Sequence, residues 1–177
     1  MNTVRGYHTL KDKGNASQIE LNGPIKCILP SRAWLGLGYY FWDTEIKWAH
    51  QWGVQYGEYL IFEALLRIDG TTFDLFGNVS HINEFLECIK IIMAQKPKDS
   101  QEVLVPEVIE YIKAHTKFET IYNSIRCADY PNSASIIRFR KDKPEETYLG
   151  GSRVQHCLLN KNNIVSQSFK VVYPENL

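Results

Sequence analysis

Residues 35–43 read Leu35-Gly36-Leu37-Gly38-Tyr39-Tyr40-Phe41-Trp42-Asp43. Two alternate glycines lead into four consecutive aromatic residues. The aromatic run predicts a strand over Gly38–Trp42, because broad flat side chains pack well on a pleated surface. Asp43 or Thr44 then offers the side-chain oxygen of a helix N-cap, for a helix running to about Trp52. Gly36-x-Gly38 precedes its strand, so it is not a dinucleotide-binding turn of the Rossmann kind. All four tryptophans, Trp34, Trp42, Trp48 and Trp52, fall in this neighbourhood. Trp48 and Trp52 are four residues apart on the predicted helix, and the expectation is that both pack into the core. Trp34 receives no role.

Working outward, Val4–Thr9 reads as a first strand. Ala16–Leu21 reads as a short helix stopped by Asn22-Gly23-Pro24, and Lys26–Leu29 as an extended apolar stretch. Tyr59–Ile68 is a long apolar run between Gly57 and Asp69-Gly70, rich in β-branched and aromatic residues, and predicts a buried strand. Ile82, Phe85, Leu86, Ile89, Ile92 and Met93 repeat at helical spacing and predict a helix over Ser80 to about Gln95. Pro106 opens a second one, with Val108, Ile109 and Ile112 on one face. Phe118–Arg126 is ambiguous. Ser135–Arg140, Val154–Leu159 and Phe169–Tyr173 read as strands. Strands at both ends and helices in the middle, without βαβ alternation, predict an α+β fold formed by residues 1–177 as a single domain.

A chain of 177 residues is long enough to bury a substantial core. Twenty basic and 20 acidic residues give zero net charge, which excludes a strongly basic nucleic-acid coat. The charge is uneven: residues 61–120 carry 6 basic and 10 acidic side chains, and residues 121–177 carry 8 and 5. Arg138, Arg140, Lys141 and Lys143 supply much of the late basic excess, as a solvated loop or one that meets a phosphate. Cys27, Cys88, Cys127 and Cys157 lack metal-ligand or redox spacing and read as reduced, buried, small hydrophobes. No metal is expected. No apolar run reaches membrane-spanning length and no secretory leader is legible, so the expected setting is cytoplasmic with no membrane partner. The P-loop, the nucleophile elbow, the zincin helix and the EF-hand loop are all missing.

Two segments carry the functional reading: Gly6-Tyr7-His8-Thr9, and the Gly36-to-Trp42 block followed by Trp48-Ala49. Together they resemble the ADP-ribosyltransferase superfamily, in particular its diphtheria-toxin and poly(ADP-ribose)-polymerase branch. That branch pairs a Tyr/His motif on the first strand with a glycine–aromatic signature and a small residue in the following helix. Gly36, Gly38, Tyr40, Phe41 and Ala49 fall at the matching spacings. The resemblance implies a split β-sandwich core with helices inserted in the middle of the chain, and NAD as substrate. It implies that His8 bonds the adenosine ribose and that the Thr9 backbone pairs with the nicotinamide carboxamide. It also implies that Tyr40 stacks on the nicotinamide ring, with Tyr7, Gly38, Tyr39 and Trp48 around the dinucleotide.

The family places a glutamate on a late strand, against the nicotinamide ribose. Here Gln155 occupies the matching position, and Thr9 stands where a glycine is usual. A neutral amide bonds a hydroxyl but is no general base. Three readings of Gln155 stay open: a transferase that works with glutamine, a carboxylate such as Glu145 or Glu146 of the preceding loop acting instead, or a site that binds without catalysis. Arg153, two residues earlier, is the expected contact to the acceptor. Read without the resemblance, His8 is a hydrogen-bonded structural histidine, Tyr40 and Phe41 are packing residues, and Gln155 is satisfied by a neighbour. His50, His81, His115 and His156 are assigned nothing.

The expected activity is an NAD-dependent mono-ADP-ribosyltransferase that releases nicotinamide and modifies a protein or nucleic acid. As a lone catalytic unit it resembles an intracellular toxin or phage-defence effector with a possible antitoxin partner. The alternatives are a catalytically impaired fold member that binds NAD, ADP-ribose or a macromolecule, and an NAD glycohydrolase.

Overall fold

The computed structural model describes residues 2–97, 102–129, 135–140, 143–150 and 152–175, with 135–140 and 143–150 described by their backbone alone. The strands are β1 (Asn2–Lys11), β2 (Tyr39–Asp43), β3 (Tyr59–Ile68), β4 (Thr72–Asp74), β5 (Ser124–Asp129), β6 (Ser135–Arg140), β7 (Lys143–Gly150), β8 (Arg153–Leu158) and β9 (Lys170–Tyr173). The helices are α1 (Ala16–Asn22), α2 (Ile46–Gly53), α3 (Val79–Gln95), α4 (Val105–His115) and α5 (Phe118–Ile121). The fold is mixed α+β: a seven-stranded sheet of order β4-β5-β8-β2-β1-β3-β9, antiparallel except for β4 with β5, and a separate β6–β7 hairpin.

The sheet is widest in contact where the apolar runs are longest. β1 and β3 pair over ten residues, from Asn2–Ile68 to Lys11–Tyr59. β1 and β2 pair only at Gly6–Asp43 and Tyr7–Trp42. Past Tyr7 the ladder between β1 and β2 stops, and a gap opens between the two strands.

Strand alternation sorts the side chains between two faces. Tyr7, Trp42 and Ile61 pack with Ala49 of α2. On the same face, farther along the sheet, Phe73, Ile125 and Cys157 pack with Val108, Ile109 and Ile112 of α4. The opposite face carries Phe41, Ala64, Leu66 and Leu158 in one cluster, and Leu60 and Phe62 with Ala16 and Ile19 of α1 in the next.

Asp43 does not cap a helix. α2 begins at Ile46, and Glu45 at its N-cap makes no side-chain cap. Asp43 is instead a buried member of a charged row: its carboxylate accepts from Arg126 Nε at 2.8 Å, His156 Nε2 at 3.2 Å and the Thr44 hydroxyl. Arg126 also reaches Asp74 at 3.3 Å. Burial pushes the Asp43 pKa up, but the bonds from His156 and Thr44 and the charge of Arg126 outweigh it and hold the pKa at about 2. The Asp43 carboxylate is thus taken up by Arg126 and His156, 83 and 113 residues away in sequence, and is not left to cap α2.

The ambiguous stretch divides into α5 and β5. β4 and β7 are additional to the predicted strands. Glu145 and Glu146 lie on β7 and not in a loop. Their side chains fall outside the described residues, as do those of Arg138, Arg140, Lys141 and Lys143. No helix among the described residues is long and apolar enough to cross a membrane.

Candidate functional site

The gap between β1 and β2 leads into a cleft of about 380 Å³. His8, Thr9 and Leu10 of β1, Tyr40 and Trp42 of β2, and Arg153 and Gln155 of β8 line its sheet side. The strap from Ile25 to Trp34 forms one wall, and Trp52 with Tyr56 forms the other. The strap is tied to the sheet by Cys27, whose N–H donates to the Gly38 carbonyl at 2.7 Å.

His8 bridges the gap. Its Nδ1–H donates to the Tyr40 carbonyl at 2.7 Å, and Nε2 accepts the Ile25 N–H at 3.3 Å. These partners assign the Nδ1–H tautomer. Burial lowers its pKa to about 4, against a smaller upward push from the Tyr40 bond, so the ring is neutral at physiological pH. Register puts His8 on the face opposite Tyr7 and Trp42, where it packs on Phe41 with ring centroids 5.3 Å apart. It reaches the cleft only because the two strands part.

Tyr40 is anchored by its hydroxyl, which accepts from the Leu35 N–H and donates to the Gly36 carbonyl, both at 2.8 Å. Burial raises its pKa well above the ordinary tyrosine value. Gly36 has a φ of +93°, a backbone shape that favours glycine. Gly38 is required for packing: a Cβ there would lie 2.5 Å from both Cys157 Sγ and the Leu158 carbonyl oxygen. The loop is thus pressed onto β8, and Cys157 Sγ–H donates to the Gly36 carbonyl at 3.5 Å. Burial pushes the Cys157 thiol up to about 12, which leaves it protonated and inert.

Gln155 faces the cleft beside Trp34. The Trp34 Nε1–H donates to Gln155 Oε1 at 2.6 Å. Among the described residues the Gln155 amide nitrogen has no hydrogen-bond partner. Arg153 makes a two-pronged pair with Asp129, at 2.9 and 2.5 Å. Asp129 is the one carboxylate among the lining residues, and that pair neutralises it. Lys26 and Arg32 are exposed on the strap and have no carboxylate within 4.0 Å among the described residues.

Of the residues singled out from sequence, the cleft gathers His8, Thr9, Tyr40, Arg153 and Gln155. Tyr7, Gly38, Tyr39 and Trp48 do not line it. Tyr7 is buried against Trp42 and α2. Burial and the nearby Glu63 carboxylate raise its pKa, against the lowering pull of Arg5. Tyr39 lies beneath the Lys161 ammonium at 5.4 Å. Trp48 packs on the Tyr7 cluster and lies 5.9 Å from the Arg153 guanidinium. Trp52, expected in the core, is exposed at the cleft rim, tilted against Trp42 with centroids 6.0 Å apart. The Thr9 hydroxyl donates to the Ala49 carbonyl, fixing β1 to α2. Sequence reasoning missed Trp34, Asp129, Lys26 and Arg32. For Asp129 the usable signal is its register partner, Arg153.

Among the described residues no cluster of His, Cys, Asp and Glu has metal-binding geometry. No family model, no curated protein and no solved structure matches the chain.

Proposed function

We propose that this protein is an NAD-dependent mono-ADP-ribosyltransferase with an ADP-ribosyltransferase-like split β-sandwich core. One observation carries the reading: His8, Thr9, Tyr40 and Gln155, drawn from three separated sequence motifs, line a single cleft with Arg153 at its edge. Its volume lies within the range of small-molecule sites. Trp34, Tyr40, Trp42 and Trp52 supply flat apolar surface for a ring, and Lys26 and Arg32 supply cations for a pyrophosphate.

In the proposed reaction the bond between nicotinamide and ribose breaks, and its electron pair leaves with nicotinamide. An acceptor lone pair bonds to the ribose carbon, and the acceptor's proton passes to solvent. The chain's part is to hold the dinucleotide bent and the ring oriented. A ribose hydroxyl reaching His8 Nε2 displaces the long Ile25 contact and leaves the Tyr40 bond intact. The amide nitrogen of Gln155 offers hydrogen bonds to a ribose oxygen, and no carboxylate among the lining residues is free to act as a base. That same point favours the second reading, a fold member that binds NAD or ADP-ribose without turnover.

Incubating the protein with NAD labelled in its adenylate half, in a cell lysate, separates the readings. Label on protein or nucleic acid with nicotinamide release supports the transferase. Free ADP-ribose without a labelled acceptor selects a glycohydrolase. NAD binding with no nicotinamide release selects the binding protein, and no NAD binding removes the family assignment.

A further inference from the structure

The Trp34–Gln155 contact joins residues 121 positions apart, and the proposed function does not use it. A glutamine amide has one accepting end and one donating end, and in isolation it flips between them. Trp34 is a donor only. Its Nε1–H, 2.6 Å from Oε1, therefore holds the accepting end and turns the NH₂ group away from itself. Both residues line the cleft.

Trp34 is itself held in place. Leu35, next in sequence, is fully buried in the α4-side core and gives its N–H to Tyr40. Gly36 accepts from Tyr40 and Cys157, and Gly38 is wedged against β8. The loop carrying the indole is thus bound to β2 and to β8, the strand that carries Gln155. An orientation fixed this way is set before any ligand arrives.

We infer that Trp34 is a positioning residue that fixes the Gln155 amide as a hydrogen-bond donor to an oxygen of the substrate ribose. This rests on the proposed reading of the cleft as an NAD site. The indole thereby makes the amide a directed contact, with its donors committed to the substrate side. Trp34 acts through Gln155 and takes no proton.

The test has two arms. Each of the four tryptophans gives one indole N–H resonance, and the one missing from Trp34→Phe belongs to Trp34. In Gln155→Leu that resonance shifts upfield and exchanges faster with solvent. An unmoved resonance overturns the inference, and this arm needs no activity. The second arm is a double-mutant cycle on nicotinamide release from NAD. Trp34→Phe lowers kcat about three- to tenfold, the scale of one lost hydrogen bond, and leaves KM almost unchanged. In the Gln155→Leu background the same change has no further effect, and Trp34→His, which keeps a ring N–H, recovers part of the loss. Additive losses in the cycle, with a wild type that releases nicotinamide, overturn the role of Trp34 and leave the transferase reading standing. A wild type that neither binds NAD nor releases nicotinamide overturns both. If Trp34→Phe does not fold, Trp34→His assigns the resonance and the Gln155→Leu shift decides the contact.

Discussion

His8 spans the break in the sheet, its Nδ1–H meeting the Tyr40 carbonyl over 2.7 Å at the place where the β1–β2 ladder has ended. An imidazole replaces a ladder peptide, so the strands stay joined while a cleft opens between them. The arrangement works only with a neutral ring, because Nε2 accepts the Ile25 N–H. Burial accordingly holds the pKa at about 4, below the ordinary histidine value of 6.5. Between these values the unfolded chain binds a proton that the folded chain refuses, so stability rises with pH across the window. The contribution is complete above pH 6.5 and is lost as pH falls to 4. The difference corresponds to about 3 kcal/mol. Asp43, held at about 2, is lost only in more acid solution. Urea unfolding at pH 7 and pH 4.5 should show a steep acid loss in wild type and a flatter one in His8→Asn. Equal slopes in the two proteins rule this role out.

The glycine of the aromatic block makes a second expectation. Gly38 admits no Cβ, because Cys157 Sγ and the Leu158 carbonyl oxygen would both lie at 2.5 Å from it. The second is backbone on a central strand and cannot swing away. Gly38→Ala should cost about 1–3 kcal/mol or more, as an overpacked core does. Gly70→Ala, with nothing within 4 Å of the new carbon, should stay within about 0.5 kcal/mol. Thermal unfolding of the pair decides it, and a harmless Gly38→Ala would mean that the loop is not pressed on β8.

Tyr40 separates ring from hydroxyl. The hydroxyl is spent on the loop, to Leu35 N–H and the Gly36 carbonyl, and only the ring faces the cleft. Tyr40→Phe leaves the Leu35 N–H unpaired and the Gly36 carbonyl with only the weak Cys157 thiol contact, and should cost about 1–3 kcal/mol of stability. The stacking surface survives, so NAD affinity should change less than about threefold, the bottom of the range for one lost hydrogen bond. Tyr40→Ala removes the ring as well and should abolish nicotinamide release. Calorimetric titration with NAD distinguishes the two variants. A Tyr40→Phe protein that is fully stable yet cannot bind NAD would put the hydroxyl at the ligand.

How far the sequence alone carries is clearest residue by residue. β3 was legible to its ends, because Gly57 and Asp69-Gly70 bracket the apolar run; one face, with Leu60, Phe62, Ala64 and Leu66, is buried, while Leu65 on the other is exposed. α3 was legible from its apolar period and begins one residue before the expected Ser80, with Asn78 as its cap. β4 was not: three residues held by parallel pairing to β5, 52 positions on, leave no local pattern. Asp43 resembled a cap because caps are local and its true partners are distant. Trp52 has the spacing of a core residue, but α2 ends at Gly53 and its last turn overhangs the cleft. His8, Tyr40 and Gln155 were legible as candidates through their motifs. Trp34 was not, because no spacing rule links a loop indole to a strand amide so far along the chain.

The charge at the cleft mouth gives the last expectation. Arg153 and Asp129 cancel, so the positive potential along the lining comes from Lys26 and Arg32, both exposed on the strap. Exposed charges act weakly at close range but are screened over about 10 Å at 0.1 M salt, so their effect is read best at low ionic strength. NAD carries a pyrophosphate and nicotinamide alone does not. Reversing both charges, with Lys26→Glu and Arg32→Glu together, should weaken NAD about tenfold at 20 mM salt, roughly the sum of two modest surface interactions. At 500 mM salt the gap between variant and wild type should close to about twofold as screening removes the field. Nicotinamide affinity should be the same in both proteins at either salt. Fluorescence titration of the cleft tryptophans follows both ligands. Equal loss of NAD and nicotinamide would instead mean that the reversals deform the strap, and unchanged NAD affinity at low salt would remove Lys26 and Arg32 from the site.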